Sequence, residues 1–71
     1  MKRKPKIGDY VEINKEIFYY WYGFGKIVSF STYLQMYGII MINGLEKGNT
    51  SYFSTKEFDI VSKDKVMVCN L

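Results

Sequence analysis

The sequence predicts an all-β fold: a small barrel of five to six short antiparallel strands, with one 3₁₀ turn before the fifth strand. Three observations predict it. Apolar and polar residues alternate over residues 10–14 and 24–31, the period of a half-buried strand. Turn signals at Ile7-Gly8-Asp9, Asn43-Gly44, Glu46-Lys47-Gly48-Asn49 and Lys63-Asp64-Lys65 cut the chain into strand-sized pieces. No segment keeps a helical period for more than one turn.

Taken in order, residues 1–6 form a basic lead-in, and a single domain occupies residues 7–71. Pro5 favours an extended entry. In the first strand, residues 10–14, Val11 and Ile13 face inward while Tyr10, Glu12 and Asn14 face out. Residues 15–23 are a long first loop holding five consecutive aromatics, Phe18, Tyr19, Tyr20, Trp21 and Tyr22. Gly23 and Gly25 mark a bend from that loop into the second strand, because glycine adopts backbone angles that side chains forbid. Ile27 is the inward residue of this strand, since Phe24, Val28 and Phe30 share a face with Lys26.

Residues 32–34 make a short connection to the third strand, residues 35–43. That strand is apolar on both faces over residues 39–42, which predicts the central, best-covered position. Two successive turn signals then predict a longer hairpin loop before the fourth strand at residues 50–54. Ser54-Thr55-Lys56-Glu57 has the form of a helix cap with an acid three residues on, and too little chain follows for more than one 3₁₀ turn. Residues 60–62 are the fifth strand, and residues 66–69 are a sixth short strand or a packed tail. The expected core is Val11, Ile13, Ile27, Ile39, Ile40, Ile42, Phe53 and Ile60.

Composition bounds the rest. A 71-residue chain buries only about 60% of its unfolded surface. The aromatic fraction of 18% supplies large rings to fill a small core, and the hydrophobic fraction of 48% argues against disorder. The longest apolar run is strand-sized, and the basic N-terminus has no apolar segment behind it, so neither a membrane span nor a secretory signal is expected. The lone Cys69 cannot form an internal disulfide and fits a reducing cytoplasm. The net charge of +3 resides in Lys2, Arg3, Lys4 and Lys6; beyond them six lysines face seven acids. The lead-in is therefore a solvated end or a contact for phosphate, and is expected to be dispensable for folding. The Lys, Ile, Asn and Tyr bias is that of an AT-rich genome, and a stand-alone domain of this size suits a phage or mobile-element accessory protein.

The stretches Lys6-Ile7-Gly8-Asp9-Tyr10-Val11-Glu12-Ile13, Gly23-Phe24-Gly25-Lys26-Ile27-Val28, Gly38-Ile39-Ile40-Met41-Ile42-Asn43 and Tyr52-Phe53-Ser54-Thr55-Lys56-Glu57-Phe58-Asp59-Ile60-Val61 carry a resemblance. Together they resemble the pattern of SH3-like barrels, shared by KOW-type modules, Tudor-like modules and the small photosystem accessory subunits of this fold. The resemblance implies a fold rather than a function. Where KOW modules carry a basic loop, this chain has Lys15-Glu16-Ile17-Phe18, and the acidic first loop of peptide-binding SH3 domains is absent. A Tudor-like aromatic cage would use Tyr20, Trp21 and Tyr22.

Histidine is absent, one cysteine is present, and the acids are scattered, so no metal site, cofactor or paired acid/base arrangement is expected. Gly23-x-Gly25 precedes a strand rather than a helix and is not a phosphate loop. The expectation is a non-catalytic binding module. Three readings stand. In the first, Tyr19, Tyr20, Trp21, Tyr22 and Lys26 dock a protein partner, with Trp21 as the exposed anchor. In the second, the same rings stack on nucleic-acid bases while Lys26 and the basic lead-in meet phosphates. In the third, a homo-oligomer sandwiches a nucleotide-like ligand. Exposed strand edges offer a further route to self-association.

Overall fold

The computed structural model describes residues 4–14 and 21–69. Five strands, β1 (Tyr10–Ile13), β2 (Gly23–Ser31), β3 (Met36–Met41), β4 (Thr50–Phe53) and β5 (Phe58–Val61), form one antiparallel sheet. The order across the sheet is β4-β3-β2-β1-β5, with the first strand inserted between the second and the last. This is the SH3-like arrangement, and a 3₁₀ turn at Thr55–Glu57 precedes β5 as the sequence predicts. Among the described residues, the edge strands β4 and β5 are not hydrogen-bonded to each other.

Side chains bring the two ends of the sheet together instead. Tyr37 on β3 and Phe58 on β5 stand three strands apart, which in a flat sheet would separate them by about 14 Å. Their ring centroids are 5.8 Å apart, edge to face at 85°. The sheet therefore curls until the rings meet over the core. The 3₁₀ turn helps hold the curl: the Asn14 N–H donates to the Glu57 carbonyl at 3.1 Å. The turn itself is tied by the Glu57 carboxylate, which accepts from the Ser54 N–H at 2.7 Å and the Ser54 hydroxyl at 3.1 Å.

The core cluster is Val11, Ile13, Ile27, Tyr37, Ile39, Met41, Phe53 and Phe58, with Trp21 and Ile60 packed against it. Directly opposed residues share a face, so the pairs Ile27↔Ile39 and Tyr37↔Phe53 decide which side of β3 points inward. Tyr37 and Met41 take the places expected for Ile40 and Ile42, both of which are only half-buried. Ile40 instead lies between Lys26 and Thr50 on the opposite face. Alternation alone identifies two faces but cannot rank two that are both apolar.

A β-bulge between Ile27 and Ser29 interrupts the alternation of β2. Beyond it Phe30 is opposite Tyr37, on the core side, and the two rings pack at a tilt of 51° with centroids 4.7 Å apart. Phe30 therefore does not share a face with Lys26, because one extra residue reverses the side-chain direction of everything after it. Phe24 does lie on the Lys26 face, yet it is buried, outside the main cluster.

Residues 63–69 are a helix, α1 (Lys63–Cys69), and neither a turn nor a sixth strand. The Ser62 hydroxyl accepts the Lys65 N–H at 3.1 Å and starts it. Val66 and Val68 favour strands by propensity, but burial of Val66 at 2% exposure secures the helix. Lys65 reaches Glu12 of β1 at 3.3 Å, so α1 lies towards the outer face at this edge.

The lead-in is fastened from Pro5 onward. The Tyr37 hydroxyl donates to the Pro5 carbonyl at 3.4 Å, the Lys6 N–H to the Asp9 carboxylate at 2.9 Å, and the Gly8 N–H to the Ile27 carbonyl at 2.9 Å. Lys4 and Lys6 are exposed; Lys2 and Arg3 lie outside the described residues.

The burial pattern separates two neighbouring isoleucines. Ile39 is fully buried, so Ile39→Ala lowers the unfolding free energy by about 2–5 kcal/mol. Ile40→Ala costs less than half as much in the same urea titration followed by circular dichroism.

Candidate functional site

The aromatic run divides at Trp21. Tyr19 and Tyr20 lie outside the described residues. Trp21 is half-buried and packed on the core, with its ring 5.8 Å from that of Phe53 at 61°. It does not stand out as a free anchor; its ring joins the first loop to the last residue of β4. Tyr22 is exposed at 42%. Its position is set by close backbone approach: the Gly23 φ is +126°, and a Cβ there would stand 2.5 Å from the Asn43 side-chain oxygen. That oxygen accepts the Phe24 N–H at 2.8 Å, clamping the start of β2 to the loop after β3.

Lys26 is exposed on the outer face, with its ammonium 5.6 Å from the centre of the Tyr10 ring. This is a cation–π contact at an exposed site, worth about 0.5–1 kcal/mol. It orients Lys26 over β1 rather than towards Trp21. The expected set is therefore only partly assembled: Trp21 and Tyr22 adjoin, and Lys26 belongs to a different surface. Lys4 and Lys6 lie elsewhere again, where Pro5 meets Tyr37, the residue opposite Phe30.

At that end of the sheet is a surface that the aromatic count overlooks. No residue from 27 to 45 carries a charge. Within this stretch Val28, Phe30, Tyr33 and Leu34 are all exposed, Tyr33 at 94%. The bulge accounts for Val28, which is the extra residue in β2 and has no partner on β3. The turn 32–35 presents Tyr33 and Leu34 at the tip. It is held by the Leu34 N–H donating to the Ser31 hydroxyl at 3.1 Å and by the Gln35 side-chain amide donating to the Thr32 carbonyl at 2.6 Å. Gln35 itself has φ +54°, a left-handed conformation that a non-glycine residue adopts only when its surroundings require it. The signal available in the sequence was the uncharged run continuing through a connection, where polar residues are usual.

Among the described residues, no three His, Cys, Asp or Glu side chains come together in a way that could hold a metal ion. No described helix is long and apolar enough to cross a membrane. The fold and its exposed surfaces define a small all-β domain of SH3-like topology. Compared with known proteins, the chain matches no family model, no curated protein and no solved structure.

The two described first-loop aromatics are expected to behave differently on truncation. Trp21→Ala lowers stability by about 3 kcal/mol, the lower end for a large ring lost from a core. Tyr22→Ala stays within about 0.5 kcal/mol of the parent. Chemical denaturation of the two variants checks both values.

Proposed function

We propose that this chain is a non-catalytic binding module that docks on a protein partner through the tip of the β2–β3 hairpin. The observation that carries the reading is Tyr33, 94% exposed on a hydrogen-bonded turn and accompanied by exposed Val28, Phe30 and Leu34. A tyrosine on a rigid turn can bury a large area while few torsions are frozen, which is the character of an interface anchor. The uncharged run over residues 27–45, which includes the hairpin tip, suits an apolar protein surface, which asks for no ionic pairing. The single cysteine is compatible with the reducing cytoplasm as its compartment.

A second reading has one observation in its favour. Lys4 and Lys6 flank the same end of the sheet as Phe30, an arrangement that would let rings stack on bases while ammonium groups meet phosphate. Against it, the hairpin adds no cation beyond Lys26, which lies over Tyr10 on a different surface.

The test is affinity capture from native host extract with the parent and a Tyr33→Ser/Leu34→Ser double variant. The variant keeps the parental melting temperature and loses the partner, and parental binding survives a rise in salt. A bound partner that is retained by the folded variant overturns the reading. Binding that weakens log-linearly with salt transfers it to nucleic acid.

A further inference from the structure

The open barrel has two edge strands, and they differ in how they are finished. Strand β5 carries the charged Asp59 and runs directly into α1. Strand β4 reads Thr50-Ser51-Tyr52-Phe53, with no charge, no proline and a regular register against β3. Edge strands are ordinarily blunted by one of those devices, because unpaired backbone groups template another strand.

The register shows which groups of β4 are unpaired. The Met41 N–H donates to the Asn49 carbonyl at 2.9 Å, on the same ladder as Ile39↔Ser51 and Tyr37↔Phe53. Hydrogen-bonded pairs in an antiparallel ladder recur at every second residue, so Ser51 and Phe53 direct their backbone groups at β3. Thr50 and Tyr52 direct theirs away, and both residues are exposed. The outward row stops on both sides: the Ser54 N–H is taken by Glu57 at 2.7 Å, and the Gly48 N–H by the Met41 carbonyl at 2.9 Å.

We propose that β4 pairs with β4 of a second copy of this chain, antiparallel, about a two-fold axis through Ser51. The reasoning is self-complementarity. A register offset by one residue sets outward groups against inward ones. An offset by two sets Thr50 or Tyr52 against Gly48 or Ser54, whose N–H groups are already taken. With Ser51 on the axis, Thr50 of each copy lies opposite Tyr52 of the other, and all of the outward N–H and C=O groups of both residues are satisfied. The small Ser51 side chains meet at the axis without obstruction, and each Tyr52 ring lies beside Thr50 of the second copy. The interface is separate from the hairpin tip, so the two proposals stand or fall independently.

Sedimentation of the full chain over about 1 µM to 1 mM tests the dimer, because a subunit equilibrium shifts with concentration. The expected result is a species of twice the 8.4 kDa chain mass that dissociates on dilution. Tyr52→Pro removes an outward donor without touching the β3 ladder, and is expected to give a folded monomer. In a Cys69→Ser background, Ser51→Cys is expected to cross-link two copies on oxidation. An antiparallel non-hydrogen-bonded pair brings Cα atoms to about 4.5 Å, within disulfide reach. Thr50→Cys, displaced from its own counterpart by two residues, is expected to cross-link poorly. A parent that stays monomeric throughout overturns the proposal, as does a folded Tyr52→Pro dimer. Equal cross-linking at positions 50 and 51 also overturns it. If Tyr52→Pro does not fold, the two cysteine variants decide. Tyr33→Ser/Leu34→Ser leaves the dimer unchanged.

Discussion

The contact between Tyr37 and Phe58 is the one on which the rest of the fold depends. A five-stranded sheet can bury a core only if it curls over on itself, and β4 and β5 do not complete that closure with backbone hydrogen bonds. Ring packing substitutes for it. Tyr37 touches Phe58 on one side and Phe30 on the other, and its hydroxyl reaches back to Pro5. Trp21 adds a second tie by packing on Phe53. Rings suit this task because each spans a wide gap with few torsions to immobilise. Among the described residues, Phe24, Tyr37, Phe53 and Phe58 are buried and Trp21 packs on the core.

Closure by side chains has a consequence for the surface. Among the described residues the sheet is not sealed by hydrogen bonds, and its two edge strands differ in composition. Strand β5 carries a charged residue and is flanked in the chain by the 3₁₀ turn and α1; strand β4 carries neither charge nor proline. A small domain with limited apolar area to bury gains from any further surface it can remove from water, which is the physical attraction of a paired β4 edge.

The bulge in β2 links the core to the exterior. It lets a nine-residue strand place Ile27 inside, expose Val28, and then return Phe30 to the core side against Tyr37. Without it, Phe30 would lie on the Lys26 face and Tyr37 would lose a ring contact. The same irregularity that completes the ring cluster thus leaves an apolar residue, Val28, facing solvent within the uncharged run of residues 27–45.

Much of the architecture was legible from local rules. Alternation placed Val11, Ile13 and Ile27 inward. Turn chemistry located the loop after Asn43-Gly44, and the Ser54/Glu57 spacing marked the 3₁₀ turn, because each of these depends on a few neighbouring residues. What local rules could not reach were choices that depend on partners distant in the chain. Which apolar face of β3 turns inward was decided by pairing with Ile27 and Phe53. The direction of Phe30 was decided by a bulge that has no sequence signature. The helix at Lys63–Cys69 was decided by burial of Val66, against the strand preference of its valines. That Trp21 packs beside Phe53 was likewise decided by the fold. Sequence by itself determined the five strands of the sheet, the turns between them and the absence of charge from residues 27 to 45, because these follow from residue identity and short-range spacing. Tertiary structure alone decided which rings close the barrel and which remain exposed, because that choice belongs to whichever surfaces meet when the sheet curls.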